Sequence, residues 1–181
     1  LMHSFFRLPD YFVAVSRWVS ESIGSLGVPE SLRTYIYDGI ELDKLNTQAD
    51  SSVFRRQHGI PEDAFVIGLV GLLIPWKGQR LFLDAAERLV DVLPRARFAI
   101  VGGTPEECVY FENELKQRVK QSSLDGRVFF TGHVGAMDSV YNGLDVVLSA
   151  STSPEPLGTM IIEAMTMARA IAAPDHGGAL E

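Results

Sequence analysis

The chain has 181 residues, a length that suits one full domain and part of another. Of these residues 46% are hydrophobic and 22% charged, a composition typical of a globular protein. A net charge of −7 argues against nucleic-acid binding, because nucleic-acid-binding domains usually present a basic face. The single cysteine, Cys108, excludes an internal disulfide scaffold and fits a reducing cytosol.

Residues 1–45 are predicted to be the tail of one domain, and the first residues resemble the end of an element. An apolar run at 11–15, a helix capped by Ser16 and a second apolar run at 33–37 predict a strand–helix–strand unit. Asp38-Gly39 then signals a turn. Residues 46–63 have no long apolar run, and we interpret them as a linker with a short helix near 51–58.

Residues 64–181 are predicted to form an α/β domain, truncated at its C-terminus because 177–181 follow a turn without a closing helix. Strands alternate with helices, which indicates an open parallel sheet with helices on both faces. The predicted strands are 65–70, 97–101, 127–130, 145–149 and 170–173. The predicted helices are 78–93, 104–121, which begins with a capping box at Thr104, 136–142 and a last one that ends near 169.

Glycine is concentrated in the loops that follow the predicted strands. In open parallel sheets ligands bind beyond the carboxyl ends of the strands, and glycine allows the backbone to approach a ligand closely. Lys77-Gly78 adds a cation and free N–H groups at a helix start. The glycine-bearing positions at this edge are Gly71, Gly78, Gly102, Gly103 and Gly132, followed by His133.

The segment from Glu155 to Glu163 combines two carboxylates with a helix start. Gly158-Thr159 offers backbone N–H groups to an anion such as a phosphate. Ionised carboxylates only accept hydrogen bonds, so their natural partners beside a phosphate are hydroxyl groups. The combination suggests a sugar nucleotide as ligand.

Glu155 and Glu163, with seven residues between them, resemble the Glu-x7-Glu motif of the retaining glycosyltransferases of the group 1 family, which have the two-domain GT-B fold. The 71–78 loop is similar to the family's Gly-Arg-Leu-x-x-x-Lys-Gly segment, with Leu72 at the arginine position. Gly132-His133 resembles the Phe-x-Gly-His segment, and Gly102-Gly103 resembles the glycine turn at the diphosphate. The terminal Gly177-Gly178-Ala179-Leu180-Glu181 matches a Gly-Gly-x-x-Glu turn.

The resemblance implies the Rossmann-like C-terminal half of a GT-B fold and a hexosyltransferase that uses a UDP- or GDP-linked sugar. Glu155, facing the donor sugar, and Lys77 would be catalytic, and Glu163 would accept hydrogen bonds from the ribose. The other implied donor-binding residues are Gly71, Lys77, Gly78, Gly102, Gly103, Gly132, His133, Pro156, Leu157, Gly158 and Thr159. The acceptor would be a glycan, a lipid-linked sugar or a small molecule. We expect the isolated chain to be inactive, because the acceptor-binding domain is largely absent.

The same resemblance implies a cytoplasmic enzyme that can act at the inner membrane face, with no cofactor and no resident metal. The four histidines share no metal-ligand spacing, and the longest apolar run, 65–75, is too short to span a bilayer. A non-catalytic nucleotide-binding α/β module is the main alternative. A nicotinamide-dependent oxidoreductase is disfavoured, because no Gly-x-Gly-x-x-Gly follows a strand.

Overall fold

The structure, a computed structural model, describes residues 11–181. The part of the predicted first domain that precedes Tyr11 lies outside the described residues. The described chain divides into two compact units. One unit contains the residues up to Ile40 together with 153–159 and 175–181, and the other contains 41–152 and 160–174. These units differ from the segments predicted from sequence, since 41–63 group with the second unit and two later segments group with the first.

The first unit contains the predicted strand–helix–strand. Strand β1 (Phe12–Ala14) pairs in parallel with β2 (Arg33–Tyr35), and helix α1 (Arg17–Ser25) connects them. Ser16 caps α1 as expected, because its hydroxyl accepts a hydrogen bond from the Val19 N–H at 3.1 Å. A short 3₁₀ helix, Gly177–Leu180, also belongs to this unit.

Within the described residues the second unit holds a five-stranded, all-parallel sheet of order β5-β4-β3-β6-β7. The strands are β3 (Phe65–Val70), β4 (Ala96–Val101), β5 (Val128–Gly132), β6 (Val146–Leu148) and β7 (Ala170–Ala172). The helices are α2 (Ser51–Gln57), α3 (Gln79–Leu89), α4 (Val109–Lys120), α5 (Met137–Gly143) and α6 (Thr159–Thr166), whose first residue is assigned to the other unit.

Two buried clusters cover the two faces of this sheet, as the predicted fold class requires. Successive strand residues point to opposite faces, so Ile67 and Leu69 join one cluster while Val66 joins the other. The first cluster contains side chains of α3 and α4, and the second contains side chains of α2, α5 and α6. The helices therefore lie on both faces of the sheet.

The end of one helix and the start of another differ from the predictions. Helix α3 ends at Leu89 rather than near residue 93, and the capping box predicted at Thr104 is not formed. A 3₁₀ turn at Glu106–Cys108 precedes α4, and the Thr104 side chain instead hydrogen-bonds Glu112 within that helix. No helix in the described residues is long and apolar enough to cross a membrane.

Candidate functional site

The second unit has a topological switch point between β3 and β6. These strands are neighbours, but the chain leaves β3 towards β4 on one side and β6 towards β7 on the other. Ligands of open α/β sheets bind in the crevice outside the carboxyl ends of the strands at such a point. The two loops meet there, since the Thr152 N–H donates to the Trp76 carbonyl at 2.8 Å.

Backbone hydrogen bonds also join the loops that follow β3, β4 and β5. They run from the Gly71 N–H to the Val101 carbonyl (2.9 Å), from the Leu73 N–H to the Gly103 carbonyl (3.0 Å) and from the Gly102 N–H to the Gly132 carbonyl (3.1 Å). A Cβ atom on Gly102 would lie 1.9 Å from the Gly71 carbonyl oxygen. The glycines predicted at this edge are therefore brought together, and one of them is required by close backbone approach.

His133 lies at the same edge. A Cβ atom on Gly103 would be 3.5 Å from the His133 Cβ, and the His133 side chain is exposed. The structure thus brings His133 beside the glycine turn after β4, as the sequence predicted for loops that follow neighbouring strands.

Lys77 and Gly78 lie at the start of α3. Gly78 adopts a left-handed conformation with φ +77°, and α3 begins at the next residue without a side-chain cap. The first N–H groups of a helix have no acceptor within the helix, so they can serve an anion. The Lys77 ammonium lies 4.5 Å from the centre of the Trp76 ring, and its Cδ would be 3.7 Å from a Cβ on Gly71. A cation and helix N–H donors therefore share one loop.

Gln79 is a residue of this loop that the sequence analysis missed. Its side chain is fully buried and its amide nitrogen donates to the Leu72 carbonyl at 2.8 Å. The bond fixes the backbone at Leu72, the position that the resemblance aligns with an arginine, while the Leu72 side chain is half exposed. A glutamine at the first helical position carries no distinctive sequence signal, because its partner is an irregular backbone carbonyl.

Glu163 lies on α6, half-buried, with a buried tyrosine as partner. The Tyr141 hydroxyl donates to Glu163 Oε2 at 2.6 Å. Burial raises the pKa of Tyr141 well above its ordinary value, and the hydrogen bond to Glu163 and the charge of Glu163 raise it further. Tyr141 therefore stays a protonated donor.

Glu155 lies in the first unit and is buried, with 5% of its surface exposed. Its carbonyl accepts a hydrogen bond from the Gly178 N–H at 2.8 Å. Cβ atoms on Gly177 and Gly178 would lie within 3 Å of the Pro154–Leu157 segment. The two glycines therefore allow 175–181 to pack directly on the backbone that carries Glu155.

Glu181 anchors that same turn to α1. Its carboxylate accepts hydrogen bonds from the N–H groups of Arg17 (3.0 Å) and Trp18 (2.7 Å) and from the Tyr37 hydroxyl (2.7 Å). Desolvation acts to raise the pKa of Glu181, but the Tyr37 bond, the two backbone bonds and the Arg17 charge outweigh it and the pKa lies below its ordinary value. The carboxylate thus satisfies the N-terminus of α1.

The predicted site residues fall into two groups. The second unit brings together Gly71, Lys77, Gly78, Gly102, Gly103, Gly132 and His133, and it also contains Glu163. The first unit contains Glu155, Pro156, Leu157, Gly158 and Thr159.

Comparison with known proteins identifies the family of this chain. A sequence model of the family described as "Glycosyl transferases group 1" matches residues 50–181. The chain belongs to the group 1 glycosyltransferase family. The lipopolysaccharide core biosynthesis mannosyltransferase LpsB of Rhizobium meliloti is 27% identical over 171 residues, which cover 94% of this chain and 47% of LpsB. The 2-deoxystreptamine N-acetyl-D-glucosaminyltransferase of Streptomyces fradiae is 32% identical over 133 residues, or 71% of this chain and 30% of that enzyme.

Solved structures of similar proteins agree on the fold. Anabaena HepE in complex with UDP and glucose superposes with a TM-score of 0.88 at 29% identity, covering 96% of this chain and 47% of that chain. The parallel sheet of this group 1 chain is therefore the Rossmann-like half of a GT-B fold. The chain spans less than half the length of the curated relatives named here.

Proposed function

We propose that this group 1 chain is the donor-binding part of a retaining glycosyltransferase, which transfers a hexose from a UDP- or GDP-linked sugar to an acceptor. One observation carries the proposal: four loops at the switch-point edge are linked by backbone contacts around glycines, with Lys77 and the start of α3 among them. This edge combines backbone N–H groups with a cation, which suits a diphosphate.

Similarity to HepE supports the choice of ligand. HepE structures contain UDP, UDP with glucose, and UDP-glucose, and HepE superposes on nearly all of this chain. A nucleotide diphosphate in this chain would place its charge near Lys77 and its ribose hydroxyls near a carboxylate. Glu163 is the residue that the family motif assigns to the ribose, and Glu155 the one that it assigns to the donor sugar.

The reaction breaks the bond between the sugar anomeric carbon and the diphosphate oxygen and forms a bond from the same carbon to the acceptor oxygen. The acceptor proton passes to the departing nucleotide diphosphate, and the anomeric configuration is retained. Positive charge develops on the sugar ring and negative charge on the leaving diphosphate. Lys77 and the N–H groups at the start of α3 would stabilise the leaving group, and losing one such donor costs about 10²–10³ in rate.

The acceptor, the cofactor requirement and the location remain part of the proposal. We propose a glycan, lipid-linked or small-molecule acceptor that is bound mainly by residues outside this chain, and transfer without a resident metal or cofactor. We also propose a cytoplasmic enzyme that works at the inner face of a membrane, because the similar protein LpsB is named for lipopolysaccharide core biosynthesis.

A non-catalytic nucleotide-binding module is the second candidate, because Leu72 stands where the family has a phosphate-binding arginine. The two candidates differ in their response to the sugar. A donor site of a transferase distinguishes UDP-glucose from UDP-galactose, whereas a nucleotide-binding module has the same affinity for both.

Calorimetric titration of the chain with UDP, GDP, ADP and their sugar conjugates tests the proposal. We expect saturable binding of one nucleotide series, and we expect Lys77→Met to weaken it by about 10–100-fold, the usual cost of a lost hydrogen bond to a charged group. Lys120→Met, an exposed lysine at the end of α4, is the matched control and should leave the affinity unchanged. Equal affinities of the two variants, or no binding at millimolar nucleotide, would contradict the donor site.

A second titration separates the two candidate functions. Glu155→Gln should remove the preference between UDP-glucose and UDP-galactose while the affinity for UDP stays the same. A wild-type chain without any sugar preference would support the non-catalytic module instead.

A further inference from the structure

Tyr141 is a partner of a predicted donor-binding side chain, Glu163, and it lies outside the motifs quoted above. It lies on α5, fully buried among apolar side chains that include Val66, Val101 and Ala164. A buried phenol needs a hydrogen-bond partner for its hydroxyl. That partner is the carboxylate of Glu163, with Oε2 at 2.6 Å, whereas the Met160 carbonyl oxygen is at 3.5 Å.

The bond restricts a side chain that is otherwise adaptable. A glutamate has three side-chain torsions, and immobilising such a side chain costs conformational entropy. Here that cost is met on folding, because one carboxylate oxygen is held by a hydroxyl that is itself fixed in the core. A carboxylate offers about four lone-pair positions, so a single bond from Tyr141 leaves acceptors for two vicinal hydroxyls.

We infer that Tyr141 is a positioning residue that holds the Glu163 carboxylate for the ribose diol of the nucleotide. The inference rests on the proposed function, since it assigns Glu163 a ribose as its ligand. Tyr141 does not touch the nucleotide itself. Its contribution is therefore specific to the ribose hydroxyls and absent from the binding of the base and the diphosphate.

The test compares UDP with 2′-deoxy-UDP, or GDP with 2′-deoxy-GDP if the chain binds the guanosine series. Wild type should prefer the ribonucleotide, and Glu163→Ala should lose the preference. Tyr141→Phe, which removes one oxygen and keeps the packing, should reduce the preference by about 3–10-fold, the net contribution of one typical hydrogen bond, because Glu163 keeps its own contacts to the ribose when it is less well positioned. Its affinity for the deoxynucleotide, which keeps only the 3′-hydroxyl, should fall less than its affinity for the ribonucleotide, and saturable binding of the deoxynucleotide also shows that the variant is folded.

Two further variants sharpen the comparison. Tyr110→Phe, an exposed tyrosine of α4, should behave as wild type. Glu163→Gln keeps an oxygen for Tyr141 and an amide that can bond a hydroxyl, so it should retain part of the preference that Glu163→Ala loses. Equal losses in these two Glu163 variants would count against positioning, even if Tyr141→Phe failed to fold.

The outcomes separate this inference from the proposed function. An unchanged ribose preference in Tyr141→Phe, or an equal loss of affinity for ribo- and deoxynucleotide, would overturn the positioning role and leave the donor site standing. Absence of binding of either nucleotide to wild type would overturn the donor site and the positioning role together.

Discussion

Replacing Gly78 by alanine should destabilise the second unit far more than the same change at another glycine with the same backbone conformation. Gly78 has φ +77°, and Gly126, in the loop before β5, has φ +71°. Both alanine variants therefore incur the cost of a left-handed residue with a side chain, about 1–2 kcal/mol. A Cβ atom on Gly126 meets no atom within 4 Å, so this cost is the whole effect there.

At Gly78 the new methyl group would also collide with backbone. Its Cβ would lie 1.7 Å from the Ala150 carbonyl oxygen, and the two atoms would have to separate to at least 3.0 Å. Because a carbonyl in a packed loop cannot rotate away as a side chain can, we expect a further cost of about 1–3 kcal/mol, as in overpacked cores. Gly78→Ala should thus lose about 2–5 kcal/mol of unfolding free energy, against about 1–2 kcal/mol for Gly126→Ala.

Urea and thermal unfolding of the two variants measure the difference. For a chain of this size each kcal/mol corresponds to roughly 2–4 °C in Tm, so Gly78→Ala should melt about 5 °C below Gly126→Ala. Equal midpoints would refute the close approach of the loops after β3 and β6. A Gly78→Ala variant that is stable but no longer binds nucleotide would instead indicate that the loops move apart at little cost.

Three other changes test separate parts of the structure. Leu72→Arg, at a half-exposed side chain, should tighten nucleotide diphosphate binding by about 10-fold in calorimetry, since it adds a charge-assisted hydrogen bond, and an unchanged affinity would contradict the placement of this loop. The Arg55 guanidinium donates hydrogen bonds to three backbone carbonyls and to Asp145. Arg55→Lys should therefore lower the free energy of unfolding, measured in urea, by about 2–3 kcal/mol, whereas Arg56→Lys, at an exposed side chain, should lower it by less than about 0.5 kcal/mol. The folded pKa of Glu181 lies below its ordinary value of 4.5, so its stabilising effect is present above that pH and is lost as the pH falls through the folded pKa. The difference in Tm between wild type and Glu181→Gln should therefore shrink on acidification. A constant difference would argue against the capping role.

Local patterns were enough to predict the sheet and its glycine-rich edge. The strands of the second unit are short apolar runs between glycines and polar residues, and parallel topology alone brings the loops after them to one edge. Gly71, Gly102 and Gly132 could be predicted together for that reason. The exact close contact between Gly102 and Gly71 could not, because it depends on the register of two strands.

Features that depend on distant partners escaped the sequence analysis. Tyr141 lies in the short helix predicted at 136–142, and nothing local indicates that it is buried or that it bonds to Glu163, 22 residues later. The capping box at Thr104 failed for the opposite reason: the local pattern was present, but the chain forms a 3₁₀ turn first and Thr104 bonds Glu112. Tertiary contacts override local preference in both cases.

The partnership of Glu181 with α1 also has a consequence for the order of folding during synthesis. The carboxylate that caps α1 is 164 residues away from the first N–H that it accepts from. Closing so long a loop is entropically costly and slow, and contacts of high sequence separation form late. During synthesis of the second unit, the N-terminus of α1 is therefore capped by Ser16 alone, without the two bonds to Glu181. The segment that carries Glu155 can take its final place only once Gly177–Leu180 and Glu181 have been synthesised, so completion of this unit follows synthesis of the strands of the second unit.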